Sequence, residues 1–296
     1  MPSTLIFGCG YLGRRVARRL IDRGVTVFGT TRTRAPADAL RRLGVEPVIL
    51  DVTDPGSLAG LPKVDSVLHC VGFDRQSGRS IREVYVDGFQ NVLDALFRQQ
   101  PGCPIVHASS TGVYGGDDGG WVDEVAPVEP LTESGRACLD AERLLTERHA
   151  AGSVILRFAG LYGPDRIMRR EGLERGEPVV GSPDKFLNFV QIDDAAAVAV
   201  RALDETGPLG SELFLVSDGH PVTRAEFYGA ACEYLGAPPP RFASPAPGRP
   251  EAKREGSNKR ISNRKLLDRW GDILQYPNIR VGLAASLRAE VRPQTE

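Results

Sequence analysis

No run of apolar residues in this 296-residue chain approaches the roughly 18–20 residues that a membrane span requires. Cysteine is scarce and scattered. Cys9, Cys70, Cys103, Cys138 and Cys232 are odd in number and form no C-x-x-C pair. That pattern speaks against a disulfide frame or a zinc site and for reduced thiols in a cytoplasmic protein. An excess charge of one sign is also missing, because 37 Lys and Arg face 38 Asp and Glu for a net charge of -1. A chain so balanced has no general attraction for nucleic acid or an anionic membrane, so the expected partner is a small molecule. The first residues already read as a core strand, so no signal peptide is expected. No internal repeat is visible. The length suffices for one large domain or two smaller ones with a sizeable core.

The most informative stretch is Thr4-Leu5-Ile6-Phe7-Gly8-Cys9-Gly10-Tyr11-Leu12-Gly13. An apolar run is broken by three glycines in the G-x-G-x-x-G spacing, and a helical pattern follows with Val16, Leu20 and Ile21 on one face. Gly8 permits the tight turn from strand to helix, Gly10 lets backbone approach a pyrophosphate, and Gly13 lets the helix pack on the strand. Phosphates would then rest on the N–H groups that open the helix at Tyr11, Leu12 and Gly13, at the positive end of its dipole. The strand Val25 to Gly29 follows, so the motif sits in a strand–helix–strand context.

The end of that second strand separates two cofactors. A carboxylate there binds the ribose 2′-hydroxyl of NAD, whereas an arginine accommodates the 2′-phosphate of NADP. The chain offers Thr30-Thr31-Arg32-Thr33-Arg34 and no carboxylate. Thr31 and Arg32 are the candidate contacts, and NADP is expected over NAD. Further strands are predicted at Val45 to Leu50, ending at Asp51, and at Val64 to Val71, ending at Gly72. Asp51 could hydrogen-bond an adenine amino group, and Cys70, Val71 and Gly72 could lie along the cofactor. A long amphipathic helix is expected over Val84 to Gln99, then a strand over Pro104 to Ser109. His69 and His107 fall in apolar strand contexts and read as core or cofactor-flanking histidines. The alternation of strands and helices predicts an α/β fold, a doubly wound parallel sheet.

Hydroxyls follow the fifth strand in Ser109-Ser110-Thr111-Gly112-Val113-Tyr114-Gly115. Ligands of open α/β sheets collect at the carboxyl ends of strands, so Ser110 is well placed for chemistry. A helix from about Thr132 to His149 comes next, and then the strand Val154 to Phe158. Arg157 could position phosphates or pair structurally. Asp193 and Asp194 open an alanine-rich helix, where carboxylates suit a cap and the dipole. Thr223 is expected to cap a helix ending near Leu235, and Ser262 a short helix around Leu266. Pro238 to Pro250 is proline-rich. Lys253, Arg254, Lys259 and Arg260 form a basic stretch that reads as a solvated loop, with a diphosphate-bearing substrate as the functional alternative.

Taken together, Gly8-x-Gly10-x-x-Gly13, Asp51, the Ser109–Gly115 stretch, Arg157 with Tyr162-Gly163-Pro164, and Ile192-Asp193-Asp194-Ala195 resemble the extended short-chain dehydrogenase/reductase superfamily. Its members include nucleotide-sugar epimerases and dehydratases. The segment Ser257-Asn258-Lys259-Arg260-Ile261-Ser262-Asn263 resembles the small atypical bacterial subgroup. The resemblance implies a Rossmann domain over residues 1–160 and 189–218, and a smaller α/β substrate domain over 161–188 and 219–296. It implies substrate contacts at Thr111, Ser134, Arg157 and Arg260, with homodimerisation through the two long helices as an expectation.

In active relatives a Ser or Thr, a Tyr and a Lys cooperate, and the first matches Ser110. The Tyr-x-x-x-Lys pair lies on one helix face. Its lysine lowers the tyrosine pKa so that the phenolate can take a proton. Here the corresponding positions are Ser134 and Cys138, and both catalytic identities are missing. A serine hydroxyl is a far weaker acid than tyrosine, and cysteine supplies no positive charge. Tyr114 then becomes the candidate acid, with Glu133, Asp123 and Tyr162 as further options. Three readings stay open: an NADP-dependent oxidoreductase or epimerase-like enzyme in which another group transfers the proton, a catalytically silent cofactor-binding sensor or scaffold, or an enzyme whose reaction needs no strong base, such as reduction of an activated acceptor.

Overall fold

The computed structural model describes residues 1–148, 152–206, 211–245 and 257–291. Seven strands form the main sheet: β1 (Ser3–Phe7), β2 (Thr26–Thr31), β3 (Glu46–Ile49), β4 (Ser66–His69), β5 (Ile105–Ser110), β6 (Ser153–Phe158) and β7 (Glu212–Val216). Their order is β7-β6-β5-β4-β1-β2-β3. The pairings of β1 with β2 and β4, of β2 with β3, and of β4 with β5 are all parallel. A parallel sheet is covered on both faces, so its strands read as unbroken apolar runs. Leu5, Ile6 and Phe7 are accordingly inaccessible to solvent. The chain builds outward from β1 in one direction through β3, then returns to β4 on the other side. That reversal places the expected ligand crevice between the ends of β1 and β4.

The chain divides into two compact units. The first comprises Met1–Ser110, Glu133–Arg157 and Ala196–Phe214. Helix α1 (Tyr11–Ile21) buries Leu12, Val16, Ala17 and Leu20 as one stripe and leaves Arg14 and Arg18 exposed. Helix α2 (Arg34–Arg42) follows β2. The expected long helix is a π-helical turn, Glu83–Asp87, running into α3 (Gly88–Gln99). Phe89, Val92, Leu93 and Leu96 of α3 pack with Leu5, Phe7, Val67 and Ile105 of the sheet and with Leu145 of α4 (Glu133–Arg148). His69 and His107 are paired in register on β4 and β5, Nδ1 to Nδ1 at 3.1 Å, against the Phe89 ring. Burial lowers both pKa values, His107 to about 4, so the pair is neutral and one ring donates to the other.

The second unit comprises Thr111–Thr132, Phe158–Ala195 and Leu215–Glu296. The segment Thr111–Thr132 is grouped with this unit. The reason is backbone pairing: Trp121–Val122 forms a parallel ladder with Arg260–Ile261. The core of this unit is aromatic, with Phe189 stacked on Phe227 at 4.3 Å and edge-on to Tyr162. Helix α5 (Ile192–Glu205) begins in this unit and ends in the first. Helix α6 (Arg224–Leu235) starts with the expected Thr223 cap, completed as a capping box by Glu226. The next helix, α7 (Arg264–Trp270), has Asn263 at its N-cap position, and the Ser262 hydroxyl just before it accepts from the Arg264 N–H at 3.4 Å. Helix α8 (Ile279–Val291) closes over Tyr162, where a Cβ on Gly282 would fall on the phenol oxygen. His149, residues 246–250 of the proline-rich stretch, Lys253 and Arg254 lie outside the described residues. Among the described residues no helix is long and apolar enough to cross a membrane, and no cluster of His, Cys, Asp or Glu could hold a metal ion.

Candidate functional site

The three glycines do different work. Gly8 has φ +84°, and a Cβ there would lie 2.6 Å from both the Cys70 carbonyl oxygen and the Val71 Cα. Its N–H donates to Thr30 Oγ1 at 3.0 Å, and the Cys70 thiol donates to its carbonyl at 3.2 Å. A Cβ on Gly13 would lie 2.7 Å from the Gly8 oxygen. Gly10 is the exception, because its Cβ would meet nothing nearer than 4.0 Å. Gly10 is also the N-cap of α1, where it supplies no capping side chain, and no acidic residue occupies the first turn. A helix start with neither a capping side chain nor a nearby carboxylate is the kind of terminus that suits an anion. Gly72, beyond β4, likewise faces open space. These residues fit a dinucleotide. Burial raises the Cys70 thiol and lifts Cys9 to about 11, so neither is a thiolate at neutral pH.

At the adenosine end, Thr31 closes β2 and its hydroxyl reaches the Thr33 carbonyl at 3.5 Å. Arg32 is half exposed, and its guanidinium donates to Asp74 Oδ2 at 2.7 Å. The carboxylate missing from β2 thus arrives from the loop after β4. Burial would raise the Asp51 pKa. Hydrogen bonds from the Thr53 N–H at 2.9 Å and hydroxyl at 2.8 Å, with Arg79 and Arg32 nearby, outweigh burial and hold it below the usual carboxylate value.

Beside the end of β5, Ser109 turns toward α4. Its hydroxyl donates to Glu142 Oε1 at 2.5 Å. Arg157 completes the group, with Nε 3.0 Å from Oε1 and Nη2 2.6 Å from Oε2. Ser109, Glu142 and Arg157 are all buried. Arg157 is thus a buried partner of Glu142, the structural one of its two expected roles. Ser134 is exposed on the first turn of α4. Cys138, one turn on, is buried. Its thiol is pushed up to about 12, first by burial and then by the Glu142 charge, so it supplies neither a thiolate nor a cation.

Within the second unit, Thr111–Val113 form a 3₁₀ turn directly after Ser110 and deliver Tyr114 to a buried position. Asp123, a further candidate proton donor, is spent on a turn, accepting from the Val125 N–H. Tyr162 is enclosed beneath α8, and burial raises its pKa further. Lys259 departs from the solvated loop that the sequence suggests. Its ammonium is part-buried and donates to the Tyr114 carbonyl at 2.8 Å and to Ser257 Oγ at 2.9 Å. Burial lowers its pKa to about 8. The pairing that holds it, between segments far apart in sequence, leaves no local pattern to detect. Arg260 points the other way along the strand. Its guanidinium lies over the Trp121 and Phe186 rings at 5.2 and 5.1 Å, and its Nε donates to the Gly119 carbonyl at 2.7 Å.

A seven-stranded doubly wound sheet with this glycine cradle defines a dinucleotide-binding α/β protein of the extended short-chain dehydrogenase/reductase type. The chain belongs to the NAD dependent epimerase/dehydratase family, whose profile matches residues 4–212. It is 30% identical to Protein YeeZ of Escherichia coli strain K12 over 285 residues, 94% of this chain and 97% of that protein. A conserved protein of unknown function from Silicibacter pomeroyi has a similar structure, with TM-score 0.79, 27% identity, and coverage of 98% of this chain and 99% of that one. MoeE5 in complex with UDP-glucose and NAD shares the fold at TM-score 0.78 and 23% identity, covering 98% of this chain and all of that one.

Proposed function

We propose that the chain is an NADP-dependent oxidoreductase or epimerase-like enzyme acting on a small hydroxyl- or carbonyl-bearing metabolite. The open cradle at Gly10, over a helix start without a capping side chain, is the observation that carries this reading. Gly8, Gly10 and Gly13 hold the pyrophosphate, Arg32 and Thr31 the adenosine ribose, and Cys70 to Gly72 the backbone side of the cofactor. The bound cofactor supplies hydride exchange. The protein's own part is to hold the reacting oxygen through the Ser110 hydroxyl and to manage its proton.

Ser134 and Cys138 leave α4 without that proton chemistry. Tyr114 is the phenol nearest to Ser110 in sequence, but it is enclosed. Within the second unit, Lys259, docked on the Tyr114 carbonyl from 145 residues further along the chain and lowered to about 8, carries a proton that is mobile near neutral pH.

The test is a screen of sugar nucleotides, carbonyls and quinones with NADPH, paired with cofactor titration. Ser110→Ala should abolish turnover while leaving NADPH affinity intact. Lys259→Met should remove the turnover limb that titrates near pH 8. Tight cofactor binding without turnover across the panel would favour the sensor or scaffold reading. Unchanged turnover in Ser110→Ala would remove Ser110 from the site.

A further inference from the structure

Arg32 does not stand free at the end of β2. It is held by a carboxylate that is itself fixed in place. Asp74 Oδ2 accepts from Arg32 at 2.7 Å, while its Oδ1 accepts from the Gln76 N–H at 2.9 Å in an Asx turn. The Ser77 hydroxyl closes on the Asp74 carbonyl at 2.6 Å. The preceding residue, Phe73, is pinned through its N–H by the Tyr85 hydroxyl at 3.2 Å and packs edge-on to the Tyr85 ring. The loop therefore presents one carboxylate oxygen to Arg32 from a built turn. Both side chains remain about half exposed, 51% for Arg32 and 44% for Asp74, so a ligand can reach the pair. All of these residues belong to the first unit.

We propose that Asp74 is a cofactor-selecting residue that competes with the 2′-phosphate of NADP for Arg32. This rests on the reading of Arg32 as the 2′-phosphate contact. A 2′-phosphate and the Asp74 carboxylate want the same guanidinium, and each repels the other. NADP binding must therefore draw Arg32 off Asp74, whereas a plain ribose leaves the pair intact. The consequence is a chain that accepts both cofactors, with its preference for NADP held down by its own carboxylate. Removing the Asp74 charge while keeping the Asx acceptor isolates that effect.

The experiment is calorimetric titration of purified wild type, Asp74→Asn and Arg32→Gln with NADPH, NADH and 2′,5′-ADP at low and high salt. Asp74→Asn should tighten NADPH and 2′,5′-ADP by about five- to tenfold, consistent with one exposed charge repulsion removed. It should move NADH by less than about twofold, and the gain should shrink at high salt. Arg32→Gln should weaken 2′,5′-ADP and cancel the gain in the double variant. Equal tightening of NADH and NADPH by Asp74→Asn, or no change in their ratio, overturns the inference. If Arg32→Gln shifts the ratio and Asp74→Asn does not, the inference about Asp74 fails and the Arg32 reading stands. If Arg32→Gln leaves the ratio unchanged, or wild type binds no cofactor, the NADP reading falls and the inference falls with it.

Discussion

Asp218 follows β7 and is buried at 4% exposure. Its Oδ1 accepts from the His220 N–H at 2.9 Å, and its Oδ2 has no hydrogen-bond partner among the described residues. Burial raises its pKa from 3.8 to about 7, with Asp194 adding repulsion and His220 opposing the shift. In the unfolded chain the same carboxyl titrates at its ordinary value. Between about pH 3.8 and 7 the folded state therefore holds a proton that the unfolded state has released. The stabilisation from that proton is complete below pH 3.8 and is lost as pH rises through 7. A shift of about three units is worth roughly 4 kcal/mol at most, and about 2–4 kcal/mol after relaxation around the charge. Asp218→Asn removes the charge and keeps the shape. The variant should match wild type in urea unfolding near pH 4 and exceed it by about 2–4 kcal/mol at about pH 8.5. Parallel pH profiles for the two proteins, separated by a constant gap, would refute the reasoning.

Glu142→Ala strands the Arg157 guanidinium in the core and should cost about 3–5 kcal/mol in denaturant unfolding; a Glu142→Met/Arg157→Met pair should recover most of the loss. The glycines make a second contrast. Gly13→Ala forces a Cβ to 2.7 Å from the Gly8 oxygen and should lower stability by about 1–3 kcal/mol. Gly10→Ala meets nothing closer than 4.0 Å, so it should melt like wild type yet bind NADPH more weakly in the same calorimetric titration.

What the sequence reveals follows the range of each constraint. The G-x-G-x-x-G run is legible because its spacing alone marks a strand-to-helix turn. The Thr223 cap is legible because its partner, Glu226, is three residues on. Long-range polar pairs carry no such signature. Arg32 and Asp74 are 42 residues apart, Ser109 and Glu142 33, and Lys259 and Tyr114 145. Each residue, read alone, looks like a solvated charge or a spare hydroxyl. Lys259 reads as a loop residue because its neighbours are basic, and only the ladder of Arg260–Ile261 on Trp121–Val122 brings it inside.

Ser134 and Cys138, the positions that the resemblance aligns with the usual tyrosine and lysine, lie on one face of α4 with Glu142. Residues 134, 138 and 142 follow one another at i, i+4 along α4, a single stripe running from solvent into the core. At the inner end Glu142 already spends both carboxylate oxygens on Arg157, and one of them on Ser109 as well. A lysine at position 138 would sit one turn from that carboxylate and compete with Arg157 for it, leaving one buried cation short of a partner. Cys138, neutral at physiological pH, avoids the conflict. A neutral Cys138 and the buried Glu142–Arg157 pair are therefore compatible neighbours on one helix face. A lysine introduced at position 138 should therefore cost stability unless Arg157 is replaced with it.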